Sequence, residues 1–515
     1  MPSSAHNFYI TTPIYYVNDK PHIGHAYTSV ACDVLARYKR LSGYQVRFLT
    51  GTDEHGQKVE KSAAAAGIAP QALADANAEH FKALTPLLNL SNDDFIRTTE
   101  PRHIKSAQAL WKRMQDNGHI TLGKYAGWYS VRDEAYYAES ELVNGKAPTG
   151  ADVEWVEEPS YFFNLSQWQD RLLEFYAAHK EFIQPETRYN EIVSFVKSGL
   201  KDLSISRTTF SWGIPVPGDE KHIMYVWLDA LANYMSALGF PDAQHALYQQ
   251  FWPADLHMVG KDIVRFHAVY WPAFLMAADL PLPKQVFAHG WWTIEGEKMS
   301  KSLGNAVSPH DLVVEFGLDQ TRYFLMREVP FGNDGNFSRE RMVTVINSEL
   351  ANNIGNLVQR TLSMVAKNCD GKVPQADWSV FDKELQDICY AGLSKDSMVE
   401  QKRFNVAIEL IVHCASKANL FIDKEAPWAL KKTDPKRMQH VLYALAEMIR
   451  CIALSLQPFM PGASEKILDL LAVPADLRSF TALDKAHALA PGTALPSPSA
   501  VFPRVGEPKP QAGAA

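Results

Sequence analysis

The order strand, loop, helix, strand at the N-terminus most constrains the fold of this chain. A β-prone run from Phe8 to Thr12 leads into a proline-containing loop. Apolar residues then recur at helical spacing from Gly24 until Gly43, and a second β-prone run covers Val46–Thr50. This order is half of a doubly wound nucleotide-binding fold, in which ligands bind where the parallel strands end. Residues that directly follow strands are therefore the first candidates for a functional site.

The rest of the 515-residue chain divides into regions of different pattern. Two later β-prone runs, 258–259 and 286–288, each lead into a glycine-bearing loop and extend the parallel sheet. We predict an α/β chain in which this sheet domain is interrupted by an α+β insertion and followed by a helix bundle. The predicted boundaries are 1–117 and 221–335 for the sheet domain, 118–220 for the insertion, 336–472 for the bundle and 473–515 for an extension with a disordered tail.

The composition narrows the class of protein. Lysine and arginine number 51 against 58 acidic residues, a net charge of −7, so any nucleic-acid contact must use local basic patches. The five cysteines include no Cys-x-x-Cys pair, which supports neither a disulfide framework nor a Cys₄ zinc site. The longest apolar stretch we identify, Ala268–Ala278, is far shorter than the roughly 20 residues that span a bilayer. We therefore expect a cytoplasmic enzyme with no membrane partner.

Two short motifs combine into one candidate phosphate site: His22-Ile23-Gly24-His25 and Lys298-Met299-Ser300-Lys301-Ser302. A glycine at a helix start lets backbone N–H groups approach a phosphate, and flanking imidazoles can donate to phosphate oxygens. Lys298 and Lys301 suit a mobile clamp on pyrophosphate, since ammonium groups act as point charges with long reach. Alone, each motif also fits a solvated surface loop. Together they favour a site that breaks the α–β bond of a nucleoside triphosphate.

Two turns that follow predicted strands are further candidates. In Thr50–Gly56, the carboxylate of Asp53 is well placed to bind a ligand ammonium, although Thr and Asp here also suit a helix N-cap. In Gly260-Lys261-Asp262, the turn can face an adenosine. The sequence leaves both interpretations of Asp53 open.

A stripe of apolar and aromatic residues could line an amino-acid pocket. Trp227, Leu231 and Tyr234 share one helical face, and Ile263 and His267 share another. Such stripes are usually core, and His267 could be a satisfied core histidine. An aromatic cup would nevertheless suit a thioether, because sulfur–aromatic contacts are favourable.

The predicted bundle carries candidate RNA contacts. On a helix near 346–366, Asn352, Asn356 and Arg360 stand at i, i+4 and i+8 and face one way. Amides and guanidinium groups can bind splayed base edges, and Trp428 offers a stacking platform. A solvated helix face and a buried tryptophan are the alternatives.

These motifs, with Pro13–Tyr16 and Ala288–Trp292, resemble the methionyl-tRNA synthetases, a family of class I aminoacyl-tRNA synthetases, over about 1–470 and in the family's order. The resemblance implies a Rossmann-type catalytic domain, a connective insertion and a helical anticodon-binding domain. It also implies that ATP with Mg²⁺ converts methionine to methionyl-adenylate and pyrophosphate. Methionine then passes to the 3′ end of a tRNA with a CAU anticodon.

The resemblance also gives roles to individual residues. Catalytic contacts to phosphate are expected from His22, His25, Lys298 and Lys301, and ATP binding from Gly24, Gly260, Asp262, His289, Gly290 and Lys301. Methionine binding is expected from Asp53, as ammonium partner, and from a cup of Ile14, Tyr16, Trp227, Leu231, Tyr234, Ile263 and His267. Anticodon binding is expected from Asn352, Asn356, Arg360 and Trp428.

The sequence departs from the family in two places. Ser130 and Asp133 stand where many members carry zinc-binding cysteines, so we expect no metal site and no zinc. The segment after the bundle is too short for the family's dimerising C-terminal domain, so we expect a monomer. The insertion would then be held by packing of aromatic residues, namely Trp128, Tyr129, Tyr136 and Tyr137.

Three other functions fit parts of the sequence. A sibling ligase for leucine or cysteine would share the phosphate motifs but not the Tyr16, Trp227 and His267 set. A nucleotidyltransferase without tRNA would not need Asn356, Arg360 or Trp428. An inactive RNA-binding relative would not need the intact phosphate motifs.

Overall fold

The computed structural model describes residues 6–17, 20–133, 135–137, 139–298, 306–381, 383–391 and 398–506. The side chains of Tyr125, Ala135, Tyr136, Lys298 and Ala391 lie outside that description. The N-terminal part contains β1 (Asn7–Thr11), β2 (Tyr15–Tyr16), α1 (Ile23–Leu41), β3 (Gln45–Asp53), α2 (Gln57–Ala66), α3 (Pro70–Leu87), β4 (Asp94–Arg97) and α4 (Pro101–Asp116).

The following elements include a small antiparallel sheet and the second half of the parallel sheet. They are β5 (Ile120–Ser130), β6 (Ala135–Tyr137), β7 (Glu154–Phe163), α5 (Gln169–Ala178), β8 (Ile183–Gln184), α6 (Glu186–Lys197), β9 (Leu203–Ser204), β10 (Ser206–Arg207), β11 (Pro215–Val216), β12 (Asp219–Met224), α7 (Val226–Leu231), α8 (Asn233–Ser236), α9 (Ala246–Phe251), β13 (Leu256–Gly260), α10 (Trp271–Ala277), β14 (Val286–His289), β15 (Trp292–Ile294), β16 (Glu297–Lys298), α11 (Pro309–Phe316), α12 (Leu318–Arg327) and β17 (Gly335–Phe337).

The centre of the molecule is a seven-stranded parallel sheet in the order β2-β3-β1-β13-β14-β8, with β4 beside β3. Ile10 on β1 pairs with Phe48 on one side and Leu256 on the other. The chain thus crosses from β3 over β1 to β13, so the strand order reverses beside β1. In open α/β sheets, ligands bind outside the carboxyl ends of the strands at such a point. The predicted α/β sheet is confirmed.

Strand β8 lies within the segment that we assigned to the insertion. Its residues Ile183 and Gln184 pair in parallel with Val286 and Phe287 of β14. Strands β5, β6, β7 and β9 form a separate four-stranded antiparallel sheet. The segment 118–220 therefore contributes both to its own sheet and to the edge of the central one, and the domain boundaries stay a prediction.

The described chain after β17 is helical, as predicted. A π-helical stretch, Ile346–Gly355, joins α13 (Arg339–Val345) to α14 (Asn356–Asn368), and the bundle continues with α15 (Lys383–Ala391), α16 (Phe404–Glu425), α17 (Pro427–Thr433), α18 (Pro435–Leu456) and α19 (Pro461–Leu470). Helix α18 is buried over most of its length and forms the bundle's centre. The predicted disordered tail falls largely on 507–515, outside the described residues.

One apolar segment is longer than the sequence analysis recognised. Among the described residues, the helical segment Phe404–Thr433 is long and apolar enough to cross a membrane, by length and composition alone. Helix α16 within it buries Ala407, Ile408, Ile411 and Ala415 in the same core as α18. A core helix of a bundle has this composition without any bilayer, because one face is covered by neighbouring helices.

Candidate active site

The histidine motif forms the start of helix α1. His22 is the N-cap, and its Nδ1 accepts a hydrogen bond from Gly24 N–H at 3.1 Å. The Nδ1 of His25 accepts from His22 N–H at 3.1 Å, and the two ring centroids are 3.9 Å apart. Both imidazoles are partly buried and take part in the cap of α1, so the alternative of a solvated surface loop is wrong for this motif. With both Nδ1 atoms accepting, each neutral ring carries its proton on Nε2.

Burial determines the charge of these two rings. It lowers the pKa of His22 from 6.5 to about 4, although nearby Asp262 opposes the shift. Burial, and then the neighbouring His22, lower the pKa of His25 well below its ordinary value. Both rings are therefore neutral donors at pH 7 in the absence of ligand.

His289, at the end of β14, packs against the same helix. Its Nδ1 lies 2.8 Å from the Gly290 carbonyl oxygen, and its Nε2 lies 2.7 Å from Thr28 Oγ1 on α1. A carbonyl can only accept, so Nδ1 carries the proton and Nε2 accepts from the threonine hydroxyl. This contact fixes the distance between the end of β14 and helix α1.

The turn after β13 faces this helix start. Asp262 Oδ1 accepts from Trp291 Nε1 at 3.0 Å, and Asp262 raises the pKa of both His22 and His289 against the larger effect of burial. Lys261 Nζ binds Asp334 at 2.7 Å and lies 4.4 Å above the Trp291 ring. The turn predicted to face an adenosine thus lies at the same sheet edge as the two histidines.

Asp53 is the last residue of β3 and is largely buried. Its carbonyl accepts from Val17 N–H at 3.2 Å, and its neighbour in the sheet is Tyr16. Helix α2 begins at Gln57 with Gly56 as an N-cap that lacks a side-chain hydrogen bond. The N-cap interpretation of Asp53 is therefore wrong, which leaves the carboxylate at the carboxyl end of a central strand.

The predicted cup residues come together beside that strand end. Tyr234 Oη lies 2.6 Å from His267 Nε2, and His267 Nδ1 lies 3.0 Å from the Ile263 carbonyl oxygen. The Trp227 ring is half-buried and approaches the His267 ring edge-on, with centroids 6.2 Å apart. The remaining cup residues, Ile14, Tyr16 and Leu231, pack in the same hydrophobic core cluster.

These residues combine core and pocket properties. Leu231, Tyr234 and His267 are buried, as the core interpretation requires, while Trp227 and Ile263 are partly exposed beside them. Burial lowers the pKa of His267 to about 4, against the opposing effect of its Ile263 carbonyl partner. The lining is therefore apolar and uncharged at pH 7.

The candidate RNA contacts occupy one region of the bundle. Arg360 Nη2 binds Asp423 at 2.7 Å, and its guanidinium lies 5.3 Å above the ring of Trp428. Trp428 is 48% exposed, so the alternative of a buried tryptophan is wrong. Asn352 and Asn356 are exposed, and Asn352 Oδ1 accepts from Arg504 at 2.6 Å.

The lysine motif lies mostly outside the described residues. Lys298 ends strand β16, which pairs antiparallel with β15, but its side chain lies outside the described residues. Lys301 lies there as well, with all of 299–305. The phosphate contacts expected from both lysines stay predictions.

The predicted zinc-free turn is held by hydrogen bonds and aromatic contacts. Asp133 N–H donates to Ser130 Oγ at 3.3 Å, and Tyr137 Oη donates to Asp133 Oδ2 at 3.0 Å. Trp128 meets Trp155 edge-on with centroids 5.4 Å apart. Within the described residues, no group of three His, Cys, Asp or Glu side chains is placed to hold a metal ion.

The sequence analysis did not identify several residues near the site. Asp229 binds both His55 and His103, and Phe266 stacks on Trp227 with centroids 3.7 Å apart. His55 lies within the Thr50–Gly56 turn and Asp229 lies between Trp227 and Leu231, and this position is the sequence signal for each. His103 carried none, because its partners are distant in sequence.

Two family models match the chain. One, described as tRNA synthetases class I (M), matches residues 8–155 and 140–362. The other, described as the anticodon binding domain of methionyl tRNA ligase, matches residues 389–512.

Curated relatives match over nearly their full length. A methionine–tRNA ligase of Rickettsia felis is 60% identical over 503 residues, which is 96% of this chain and 98% of the relative. One of Brucella suis is 57% identical over 508 residues, 97% of this chain and 98% of the relative.

Solved structures from Mycobacterium tuberculosis have the same fold. A methionyl-tRNA synthetase in complex with methionyl-adenylate is 51% identical, with a TM-score of 0.94 over 97% of this chain and 100% of the other. The apo form is 47% identical, with a TM-score of 0.88 over 99% of this chain and 100% of the other.

Proposed function

The chain belongs to the methionyl-tRNA synthetases of class I, and on that basis we propose which of its residues carry the family's reaction. It is a methionine–tRNA ligase. It activates methionine with ATP to methionyl-adenylate and pyrophosphate, and then transfers methionine to the 3′ end of tRNA. The observation that carries the assignment of residues is that the capped start of α1, Asp53 and the His267 cup meet at one edge of the central sheet.

Phosphate binding is assigned to the start of α1 and the lysine motif. The Nδ1 atoms of His22 and His25 are occupied by backbone donors, so each Nε2–H is the group that can donate to phosphate oxygens. Neutral donors of this kind stabilise charge as it develops without having to be deprotonated. Lys298 and Lys301 would neutralise the departing pyrophosphate.

The nucleotide would lie against the turns that follow β13 and β14. Gly260 and Gly290 stand at these turns, Asp262 lies near His22 at the start of α1, and His289 contacts Thr28 on the same helix. Mg²⁺ would arrive with the triphosphate, whose oxygens are the ligands that this ion prefers. Zinc is not part of the proposal, because Ser130 and Asp133 stand where many members of the family carry zinc-binding cysteines.

Methionine would bind between Asp53 and the cup. The Asp53 carboxylate would pair with the ammonium, and the side chain would enter the space lined by Ile14, Tyr16, Trp227, Leu231, Tyr234, Ile263 and His267. An apolar, uncharged lining with an aromatic wall suits a thioether. It rejects homocysteine poorly, because one methylene is worth only about 1–3 kcal/mol.

The tRNA would be read by the bundle. Trp428 would stack on an anticodon base, while Asn352, Asn356 and Arg360 would bind base edges of CAU. Arg360 lies over the Trp428 ring, so the guanidinium and the stacking surface are presented together. We also propose that the enzyme acts as a monomer in the cytoplasm, which a mass in solution near 57.7 kDa would support.

The test is amino-acid-dependent ATP–pyrophosphate exchange followed by charging of tRNA. Methionine should support exchange better than leucine or cysteine, and tRNA with a CAU anticodon should then be charged. Best exchange with leucine or cysteine would contradict the substrate, and exchange without charging would indicate a nucleotidyltransferase. No exchange with any amino acid would indicate an inactive relative.

A further inference from the structure

A buried carboxylate with two imidazole partners lies behind the methionine cup. Asp229 Oδ2 is 2.7 Å from His55 Nδ1, and Asp229 Oδ1 is 2.7 Å from His103 Nε2. All three side chains are almost completely buried. Burial opposes the charge on Asp229, but the two imidazoles outweigh it and lower the pKa of the carboxyl to about 2. Asp229 is therefore ionised at pH 7 and accepts both hydrogen bonds.

The three residues connect separate elements. Asp229 is on α7, between the cup residues Trp227 and Leu231, and His103 is on α4. His55 is in the loop after β3, two residues beyond Asp53. Asp229 is thus the point at which the cup helix is bonded to the loop that directly follows the proposed ammonium partner.

Other bonds fix the rest of this loop. The His55 carbonyl accepts from Tyr16 Oη at 3.1 Å. Trp212 Nε1 donates to the Glu54 carbonyl at 2.6 Å, and Gly56 N–H donates to the Trp212 carbonyl at 3.0 Å. The contact to Asp229 is the one of these that reaches the cup helix. Without the contact to Asp229, the other three bonds would still hold the loop. They would not fix its position relative to Trp227 and Leu231.

Stability alone is a weak reason for this arrangement. Withdrawing a charge from water is costly, and well-packed apolar replacements for buried ion pairs are often neutral or stabilising. Charged groups of this kind concentrate at functional sites, where they orient the side chains that meet the ligand.

We propose that Asp229 is a positioning residue for methionine: through His55 it holds the end of β3, which carries Asp53, at a fixed distance from the side-chain cup. The ligand's ammonium and its thioether are then recognised at one defined separation. This inference rests on the proposed function, because it takes Asp53 and the cup as the methionine site.

The first test is Asp229→Asn, with methionine binding measured by calorimetry and KM values by pyrophosphate exchange. An amide nitrogen cannot accept, so one imidazole loses its acceptor while the side-chain size is kept. The Kd and KM for methionine should rise tenfold or more, and the KM for ATP should stay within twofold. An unchanged Kd for methionine would overturn the proposal.

Asp33→Asn is the matched control. Asp33 is equally buried and binds Arg37 and Arg322 at 2.7 Å each, but it lies on α1 away from the cup. Both variants should melt at lower temperature, and both are measured well below their melting transitions. Only Asp229→Asn should weaken methionine binding, and an equal loss in Asp33→Asn would mean that general destabilisation is the cause.

Two further variants separate positioning from a merely structural role. In His55→Asn, the amide nitrogen replaces Nδ1 as donor, so methionine binding should largely recover relative to His55→Ala. Combining Asp229→Asn with Asp53→Asn should weaken binding by less than the product of the two separate losses, because both act on one contact. Equal effects of the two His55 variants, or fully additive losses, would refute the proposal.

The two proposals can fail separately. A wild-type chain without pyrophosphate exchange for any amino acid refutes the proposed function. An active wild-type chain whose Asp229→Asn variant binds methionine normally refutes only the role of Asp229.

Discussion

Three histidines near the site each have one tautomer fixed by a backbone partner. His267 and His289 donate from Nδ1 to carbonyl oxygens, so their Nε2 atoms accept from Tyr234 and Thr28. His22 is the reverse, because its Nδ1 accepts from the backbone. The Nε2 atom is therefore an acceptor in His267 and His289 and a donor in His22. Neutral imidazole acts as acceptor in one place and as donor in the other without any change of charge.

At the scale of one residue, Trp428 should contribute to tRNA charging and not to methionine activation. Trp428→Ala should lower kcat/KM for charging about tenfold, because stacking on a base is worth about 1–3 kcal/mol. Pyrophosphate exchange should be unchanged, since the bundle surface takes no part in adenylate formation. Aminoacylation and exchange assays on the same preparation measure both.

Leu410→Ala is the control for that substitution. Leu410 is 52% exposed on α16 in the same bundle but offers no aromatic ring. It should charge tRNA normally. A loss of charging in both variants would attribute the effect to the fold of the bundle, and a loss of exchange in Trp428→Ala would contradict its assignment.

At the scale of elements, the strands were predictable and their partners were not. The runs that predicted β1, β3, β13 and β14 are apolar and β-branched, which local propensity detects. The two-residue strand β8 is too short to give a pattern. The bond from Asp229 to His55 spans 174 residues, so only the folded chain brings the two together.

The helical segment that carries Asn352 and Asn356 shows a second limit of prediction from sequence. The sequence predicted i, i+4, i+8 spacing from Asn352 to Arg360, which assumes a regular α-helix. The structure has a π-helical stretch over Ile346–Gly355, where each turn contains more residues. Asn352 therefore belongs to a different helical geometry from Asn356 and Arg360, and periodicity alone does not give its direction.

Gly290, at the corner after β14, leads to a prediction at the scale of elements. A Cβ on Gly290 would lie 2.3 Å from the Asn333 carbonyl carbon and oxygen and 2.6 Å from Asp334 N. Gly290→Ala should therefore separate β14 from the 333–334 turn and lower the free energy of unfolding by about 1–3 kcal/mol. Because Lys261 binds Asp334, the KM for ATP should also rise.

Urea unfolding and exchange kinetics measure these two effects. Gly506→Ala is the control, because a Cβ there meets no atom within 4 Å. Normal stability of Gly290→Ala would show that the corner can relax without cost. A raised KM for ATP in Gly506→Ala would show that the change in KM does not come from the corner after β14.

At the scale of the whole molecule, one buried arginine joins the catalytic sheet domain to the bundle. Arg322 on α12 binds Asp33 of α1 at 2.7 Å and also donates to the carbonyls of Leu88, Pro458 and Phe459. Helix α1 starts at the phosphate site, while Pro458 and Phe459 follow the central helix of the bundle. The two regions therefore share a continuous, fully buried contact and not a flexible linker alone.

The buried histidines also make the stability of the whole molecule depend on pH. Burial lowers the pKa of His22 and His267 to about 4 and lowers the pKa of His25, His257 and His289 as well. Between the ordinary value of 6.5 and about 4, the unfolded chain binds protons at these positions and the folded chain does not. The free energy of unfolding should therefore be highest above pH 6.5 and should fall on acidification, by up to about 1.4 kcal/mol per pH unit for each such imidazole.

Urea unfolding at pH 7.5, 6 and 5 measures this dependence, and one variant identifies its source. His257 is completely buried on β13, so His257→Gln should reduce the slope of unfolding free energy against pH by about one proton, whatever it does to absolute stability. His310→Gln removes an exposed ring and should leave the slope unchanged. Equal slopes of unfolding free energy against pH in the wild type, His257→Gln and His310→Gln would mean that other groups cause the acid sensitivity. A wild-type chain that becomes more stable between pH 6.5 and 4 would contradict the burial of neutral imidazoles around the site.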